Sequence, residues 1–323
     1  MKKALCFLIL LGILIVTEVF AEEAVRVIAL KGPTAMGMAE MMERVKNGDL
    51  KDSGFEFSIA GAIDEVTPKI LQGKVDIAAV PANVASVLYN NSEKEVQTIA
   101  INTLGVLYIV ERGNSINSFS DLSGRTIYAS GKGATPEYAL NYELSSNGID
   151  PTKDVTIEWK SEHAECLAAL LADDNAIAML PQPFVTTACM KNEDIRVALD
   201  MTKEWERIQE SSDEPSSMIT GVVVVRKEYA ASHQQEIENF LNAYKESVEY
   251  VNTNIEDAAE LIGQFDIVPS QVAVRAIPAC NIVLITGEEM QQKLSGYLKV
   301  LEEQNPKSIG GKIPDSDFYF IAE

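Results

Sequence analysis

The sequence is poor in the residues that carry most catalytic and metal chemistry. Its 323 residues include only two histidines, four cysteines and two tryptophans. No Gly-x-Ser-x-Gly or His-Glu-x-x-His motif is present, which argues against serine hydrolases and zinc proteases. Only Cys166, Cys189 and Cys280 follow the first apolar segment, and three cysteines cannot all pair in a disulfide framework. A single bridge between Cys166 and Cys189 stays open as an alternative.

Positive charge is also scarce. Lys and Arg total 27 against 48 Asp and Glu, which gives a formal net charge of −21. A chain this acidic is unsuited to general binding of nucleic acids or anionic membranes, so we expect no nucleic-acid partner. Apolar residues make up 46% of the sequence, which is typical of globular proteins, and the length suits two domains.

The first 21 residues have the pattern of a secretory signal. Lys2 and Lys3 precede an uncharged run over 4–17, and Val19-Phe20-Ala21 fits a signal-peptidase site. We therefore predict a signal peptide over 1–21 and an exported protein, at the periplasm or cell surface. The alternative, an uncleaved anchor, is disfavoured because the apolar run is shorter than the roughly 20 residues of a spanning helix.

Strand and helix patterns alternate in two cycles. The first includes strands over 25–30, 55–59 and 76–80, and the second begins with a strand over 125–129. This order predicts an α/β protein with two lobes, each a mostly parallel sheet flanked by helices. We assign 22–111 and 218–323 to lobe 1 and the inserted 112–217 to lobe 2. Residues 228–303 are predicted to form about four helical segments. Two extended stretches are predicted to join the lobes: 103–111, the outgoing crossing, and 219–225, the return crossing.

Ligands of open α/β sheets bind beyond the carboxyl ends of the strands, so the cleft between the lobes is the expected site. The residues that follow these strand ends, or lie in the return crossing, are the candidate ligand contacts: Gly32, Pro33, Thr34, Pro81, Asn83, Ser130, Gly131, Lys132, Gly133, Thr135, Gln182 and Thr220. For each of them the alternative is an ordinary turn or helix cap.

The loop Ser130–Thr135 is the strongest candidate among these. Its two glycines allow a ligand to approach the backbone, the helix that follows offers free N–H groups, and Lys132 adds a positive charge. This combination favours an anionic or zwitterionic solute. The loop lacks the spacing of a phosphate-binding P-loop. His163 and Cys166 lie one helical turn apart, but a second pair of ligands is not visible, so we expect no metal and no cofactor.

Five segments, in order, carry a family resemblance. They are DIAAVPA at 76–82, SFSDLSGRTI at 118–127, GKGATP at 131–136, NGIDP at 147–151 and MLPQPF at 179–184. Together they resemble the nitrate/sulfonate/taurine and thiamine-precursor branch of ABC-transporter substrate-binding proteins, over residues 25 to about 261. The resemblance implies the type II periplasmic-binding-protein fold.

The resemblance also implies a function. Such a protein captures a small polar solute by hinge closure and delivers it to ABC permease transmembrane subunits with a cytoplasmic ATPase. We expect a monomer that is not an enzyme. The alternatives are a thiamine-pyrimidine-precursor binding protein or a related enzyme of the same fold, and a sensory or adhesion module. The enzyme family carries a cysteine-rich motif, which this sequence lacks.

Overall fold

A computed structural model describes residues 24–50, 53–212 and 215–321. The predicted signal peptide lies outside these ranges. Within the described residues, no helix is both long enough and apolar enough to cross a membrane. The chain forms two β-sheets, one of six strands and one of five, each flanked by helices. The α/β prediction is therefore confirmed.

The strands are β1 (Val25–Leu30), β2 (Phe55–Ala60), β3 (Ile77–Pro81), β4 (Val96–Leu104), β5 (Leu107–Arg112), β6 (Thr126–Ser130), β7 (Thr156–Lys160), β8 (Ile177–Pro181), β9 (Ile195–Asp200), β10 (Ile219–Arg226) and β11 (Ile282–Ile285). The helices are α1 (Pro33–Met36), α2 (Ala39–Asn47), α3 (Ile63–Leu71), α4 (Ala82–Asn91), α5 (Thr135–Ser146), α6 (His163–Ala172), α7 (Phe184–Lys191), α8 (Met201–Gln209), α9 (Lys227–Ser232), α10 (Gln234–Thr253), α11 (Ile255–Gln264), α12 (Ser270–Ala276) and α13 (Gly287–Gln304).

Each sheet combines parallel strands with antiparallel ones. The strand order is β11-β4-β10-β3-β1-β2 in the first sheet and β7-β6-β8-β5-β9 in the second. β1 pairs in parallel with β2 and β3, and β6 pairs in parallel with β7 and β8. β10 and β5, which enter their sheets from the other lobe, are antiparallel to both of their neighbours. The alternating pattern did not reveal these antiparallel insertions, because β5 and β10 are as apolar as the parallel strands.

The outgoing crossing is shorter than the sequence suggested. The predicted strand 103–111 is interrupted at Gly105 and Val106, and residues 107–112 form β5 in the five-stranded sheet. Gly105 is required at this point, because a Cβ atom there would clash with the Thr202 hydroxyl. Gly105 and Val106 thus connect β4 of the six-stranded sheet to β5 of the five-stranded sheet. The return crossing runs from the end of α8 to β10.

An aromatic cluster joins the lobes on one side. Trp205 of α8 is fully buried, and its ring centroid lies 4.6 Å from that of Tyr142 in α5 and 5.4 Å from that of Tyr297 in α13. The Trp205 indole N–H donates to the Ser216 hydroxyl at 3.1 Å. Because α13 belongs to the first lobe and α5 and α8 to the second, this cluster is one continuous apolar core across both lobes.

A second apolar core lies on the other face of the six-stranded sheet. Met36, Met38 and Met41 are fully buried there, where their flexible side chains fill the core. At the edge of the sheet where β1 and β3 begin, Asp76 accepts hydrogen bonds from Arg26 at 2.9 Å and Arg226 at 2.8 Å. Burial disfavours the charged Asp76 carboxylate, but these hydrogen bonds outweigh that cost and lower its pKa.

Candidate functional site

A cleft of about 830 Å³ lies between the two sheets. Leu30, Pro81 and Pro181 reach it from the carboxyl ends of β1, β3 and β8. Leu107 and Thr220 reach it from the starts of β5 and β10, because these antiparallel strands begin at the edge where their neighbours end. The cleft therefore lies at the sheet edge that the strand-end argument indicated, and both lobes contribute to its walls.

The structure separates the predicted contacts into two groups. The residues that line the cleft are Gly32, Pro33, Thr34, Pro81, Gly131, Thr135, Gln182 and Thr220. Those that lie outside its lining are Asn83, Ser130, Lys132 and Gly133. Of the second group, Asn83 and Ser130 are buried, and Lys132 and Gly133 are exposed.

Asn83 and Thr135 bond to each other across the lobes. The Thr135 hydroxyl donates to Asn83 Oδ1 at 3.1 Å, and Asn83 Nδ2 donates to the Ser308 carbonyl at 3.2 Å. Both residues are buried. Asn83 thus links α5 of the second lobe to the C-terminal segment of the first, and its side chain is not directed at a solute.

The Ser130–Thr135 loop differs from the expected anion site. Lys132 and Gly133 are exposed, and the Gly133 N–H donates to the Glu137 carboxylate at 2.6 Å. A protein carboxylate therefore already occupies a backbone donor that the sequence assigned to an anionic solute. Gly131 does face the cleft, with φ at +82°, and a Cβ atom there would lie 2.7 Å from the Pro136 ring.

His163 lines the cleft, although it is not among the ligand contacts predicted from the sequence. It begins α6 directly after β7, so the strand-end rule could have identified it. Its Nδ1 lies 2.5 Å from the hydroxyl of buried Ser130, and its ring centroid lies 5.3 Å from that of Phe184. Burial lowers the pKa of His163 to about 4, so the imidazole is uncharged at neutral pH.

Three polar residues present hydrogen-bonding groups near the cleft. The Thr34 hydroxyl donates to the Leu30 carbonyl at 2.9 Å, and Gln182 Oε1 accepts from the Thr186 hydroxyl at 2.8 Å. The Gln182 side-chain N–H groups are then left for a solute. The buried Thr220 hydroxyl has no hydrogen-bond partner within the described residues. A buried hydroxyl of this kind is costly unless something bonds to it, which makes Thr220 a strong candidate contact.

The segment before α12 forms another part of the cleft wall, although none of its residues was predicted to contact the ligand. Ile267, Val268 and Pro269 line the cleft there. At the same lip, Lys31 Nζ forms an ion pair with Asp266 Oδ2 at 2.6 Å. These residues lie far along the chain from the strand-end motifs, and only the packing of α11 and α12 brings them to the cleft.

The cysteines do not contribute to this cleft. Cys166, Cys189 and Cys280 are free, so the alternative of a Cys166–Cys189 bridge is not realised, and none of the three lines the cleft. Within the described ranges, no group of three or more His, Cys, Asp or Glu side chains could hold a metal ion.

Comparison with known proteins identifies the family. The family model described as "ABC transporter, phosphonate, periplasmic substrate-binding protein" matches residues 38–269, well over half of the chain. The chain belongs to this family. The predicted resemblance to ABC-transporter substrate-binding proteins is therefore confirmed, and the role it implied, the solute-binding subunit of an ABC importer outside the cytoplasm, follows from membership. The family works with permease and ATPase subunits. The chain matches none of the curated proteins.

Solved structures confirm the type II periplasmic-binding-protein fold. An ABC transporter structure from Parabacteroides distasonis is 20% identical, with a TM-score of 0.77 over 94% of this chain and 100% of that one. The periplasmic aliphatic sulphonate binding protein of Escherichia coli is 14% identical, with a TM-score of 0.72 over 93% and 94%. The nitrate-binding protein of Synechocystis is 11% identical, with a TM-score of 0.59 over 83% and 74%.

Proposed function

We propose that this substrate-binding protein captures one solute molecule in the cleft between its lobes and closes over it for delivery to the permease. The observation that carries the proposal is the composition of the cleft wall. Pro33 and Thr220 come from the first lobe and Gln182 and Phe184 from the second, so a single bound solute would contact both. A solute that contacts both lobes favours the closed arrangement through its differential affinity.

The connections between the lobes are consistent with a hinge. Gly105 and Val106 form one short crossing, and the segment from α8 to β10 forms the other. Short crossings of this kind absorb backbone rotation while each sheet moves as a unit. The aromatic cluster around Trp205 would stay packed during this motion, since it lies beside the return crossing.

We further propose that the protein binds its solute without chemical conversion. The enzyme alternative of the thiamine-precursor type depends on a cysteine-rich motif, and no described cysteine lines this cleft. We also keep, as part of the proposal, the signal peptide over 1–21 and a monomeric state. Lobe 1 then comprises residues 22 to about 105 with 218–323, and lobe 2 the residues between them.

A thermal-shift screen with two variants tests this function. The panel contains sulfonates, phosphonates, nitrate, amino acids, pyrimidines and uncharged ring compounds. A solute at a hundredfold its Kd adds about 2.7 kcal/mol of stability and raises the Tm by roughly a few degrees.

Thr220→Trp would fill the cleft, and Thr253→Trp makes the same change at an exposed position at the end of α10. We expect the Thr220 variant to lose the ligand-induced shift and the Thr253 variant to keep it. A compound that shifts both variants equally would place binding outside the cleft and contradict the proposal.

A further inference from the structure

Proline is unusually frequent in the apolar part of the cleft wall. Six of the twelve prolines in the chain line it: Pro33, Pro81, Pro136, Pro181, Pro183 and Pro269. Phe184, Leu30, Val106, Ile267 and Val268 add further apolar surface. A wall of this composition is rigid and offers a solute mainly apolar contact. Before any closure of the lobes, the cleft has room for a molecule far larger than nitrate or a simple phosphonate.

The prolines also reduce the number of free backbone N–H groups at the cleft. Helix N-termini bind anions through free N–H groups, and proline has none. Proline occupies the first or second position of α1 and α5 and the N-cap of α4, α7 and α12: Pro33, Pro136, Pro81, Pro183 and Pro269. Each of the five helices that begin at the cleft with one of these prolines has therefore lost a donor from its N-terminal end.

Charge in the lining is low as well. The two lysines of the lining reach solvent: Lys31 pairs with the exposed Asp266, and Lys191 is itself exposed. His163 is uncharged at neutral pH, and none of the described residues that line the cleft is an aspartate or glutamate. An ionic group bound against the apolar wall, away from these two lysines, would lose its hydration without an adjacent counter-charge, and the lining offers a cation no acidic partner.

We propose that the solute is an uncharged molecule with a large apolar body and a small hydrogen-bonding group, rather than an oxyanion. The apolar body packs against the proline wall and Phe184. The hydrogen-bonding group accepts from the Gln182 amide and meets the Thr220 hydroxyl. This inference rests on the proposed function, because it assumes that the cleft is the solute site, and it replaces the anionic or zwitterionic solute that Lys132 favoured in the sequence.

Matched pairs of probes test the solute class. Each pair shares a ring and differs in charge: benzamide with benzoate, nicotinamide with nicotinate, and naphthamide with naphthoate, with methylphosphonate as a simple oxyanion. Isothermal titration of the purified protein at neutral pH measures the affinity for each probe. We expect the amide of at least one pair to bind about tenfold or more tightly than its carboxylate. Tighter binding of a carboxylate or of methylphosphonate, or no binding of any amide, would overturn the proposal.

Two variants test whether the amide probes bind against the apolar wall of the cleft. Phe184→Ala is expected to weaken amide binding, and thermal unfolding checks that the variant is folded. Lys132→Gln changes an exposed cation outside the cleft and is expected to leave amide binding unchanged. Loss of amide binding in the Lys132 variant would show that the Ser130–Thr135 loop contacts the solute, as the sequence suggested. It would contradict the proposal of an uncharged solute. If the protein binds an oxyanion and Thr220→Trp abolishes that binding, the proposed solute class is wrong. The proposed function of the cleft as the solute site would still hold.

Discussion

At the scale of single residues, Glu143 is the most unusual side chain outside the cleft. It lies on α5, is fully buried, and neither carboxylate oxygen has a hydrogen-bond partner within the described residues. Burial raises its pKa well above the ordinary value, and the nearby Glu204 and Asp200 carboxylates raise it further. The folded protein therefore holds a proton on Glu143 that the unfolded chain releases at lower pH.

This difference makes stability depend on pH. Because the folded-state pKa is raised, the folded protein binds more protons, so the contribution of Glu143 is present at low pH and is lost as pH rises through the folded-state pKa. Glu143→Gln removes the titration and keeps the shape of the side chain. We expect urea unfolding midpoints measured from mildly acidic to mildly alkaline pH to fall less steeply in the variant than in the unchanged protein. Parallel curves for the two proteins would contradict this assignment.

The residue scale also shows what sequence reasoning could and could not supply for the site. Thr34, Gln182 and Thr220 follow strand ends or open a crossing strand, and this position alone predicts that they face the cleft. Lys132 obeys the same rule, yet it is exposed, because the direction of a loop side chain depends on the turn. Asn83 faces a partner from the C-terminal segment, which no local pattern could indicate.

At the scale of elements, the crossing from β4 to β5 depends on Gly105. A Cβ atom there would clash with the Thr202 hydroxyl and lie 3.0 Å from the Met218 sulfur. Gly105→Ala should therefore destabilise the protein by about 1–3 kcal/mol, as overpacking generally does. Thr202→Ala removes the clashing hydroxyl, so the double variant should recover part of the loss in a denaturant titration. Additive losses in the double variant would show that the clash is not the cause.

The elements that the sequence did not predict have a common explanation. β11 lies inside a region predicted to be helical, and its four residues pair only with β4 at the edge of the sheet. α8 was not assigned, although Asp200 caps it by accepting from the Thr202 and Lys203 N–H groups. Both elements are short, and long-range packing stabilises them more than local propensity does. The longer alternating elements were predicted because their apolar periodicity is strong enough to be recognised locally.

At the scale of the whole molecule, two sets of contacts join the lobes. The aromatic cluster around Trp205 lies beside the return crossing, and the hydrogen bond from Thr135 to Asn83 joins the helix starts near the cleft. The two-lobe organisation was predictable because the second cycle of strands and helices interrupts the first. The apolar character of the cleft was not predictable, since its prolines come from five separate segments that only the fold brings together.

The central claim is that the two lobes close over a solute bound in the cleft. Small-angle X-ray scattering of the purified protein, with and without a saturating concentration of the tightest compound from the thermal-shift screen, tests it directly. Closure about the two crossings predicts a smaller radius of gyration with the compound in the unchanged protein and no change in Thr220→Trp. A radius of gyration that stays constant while the cleft is demonstrably saturated would contradict the hinge.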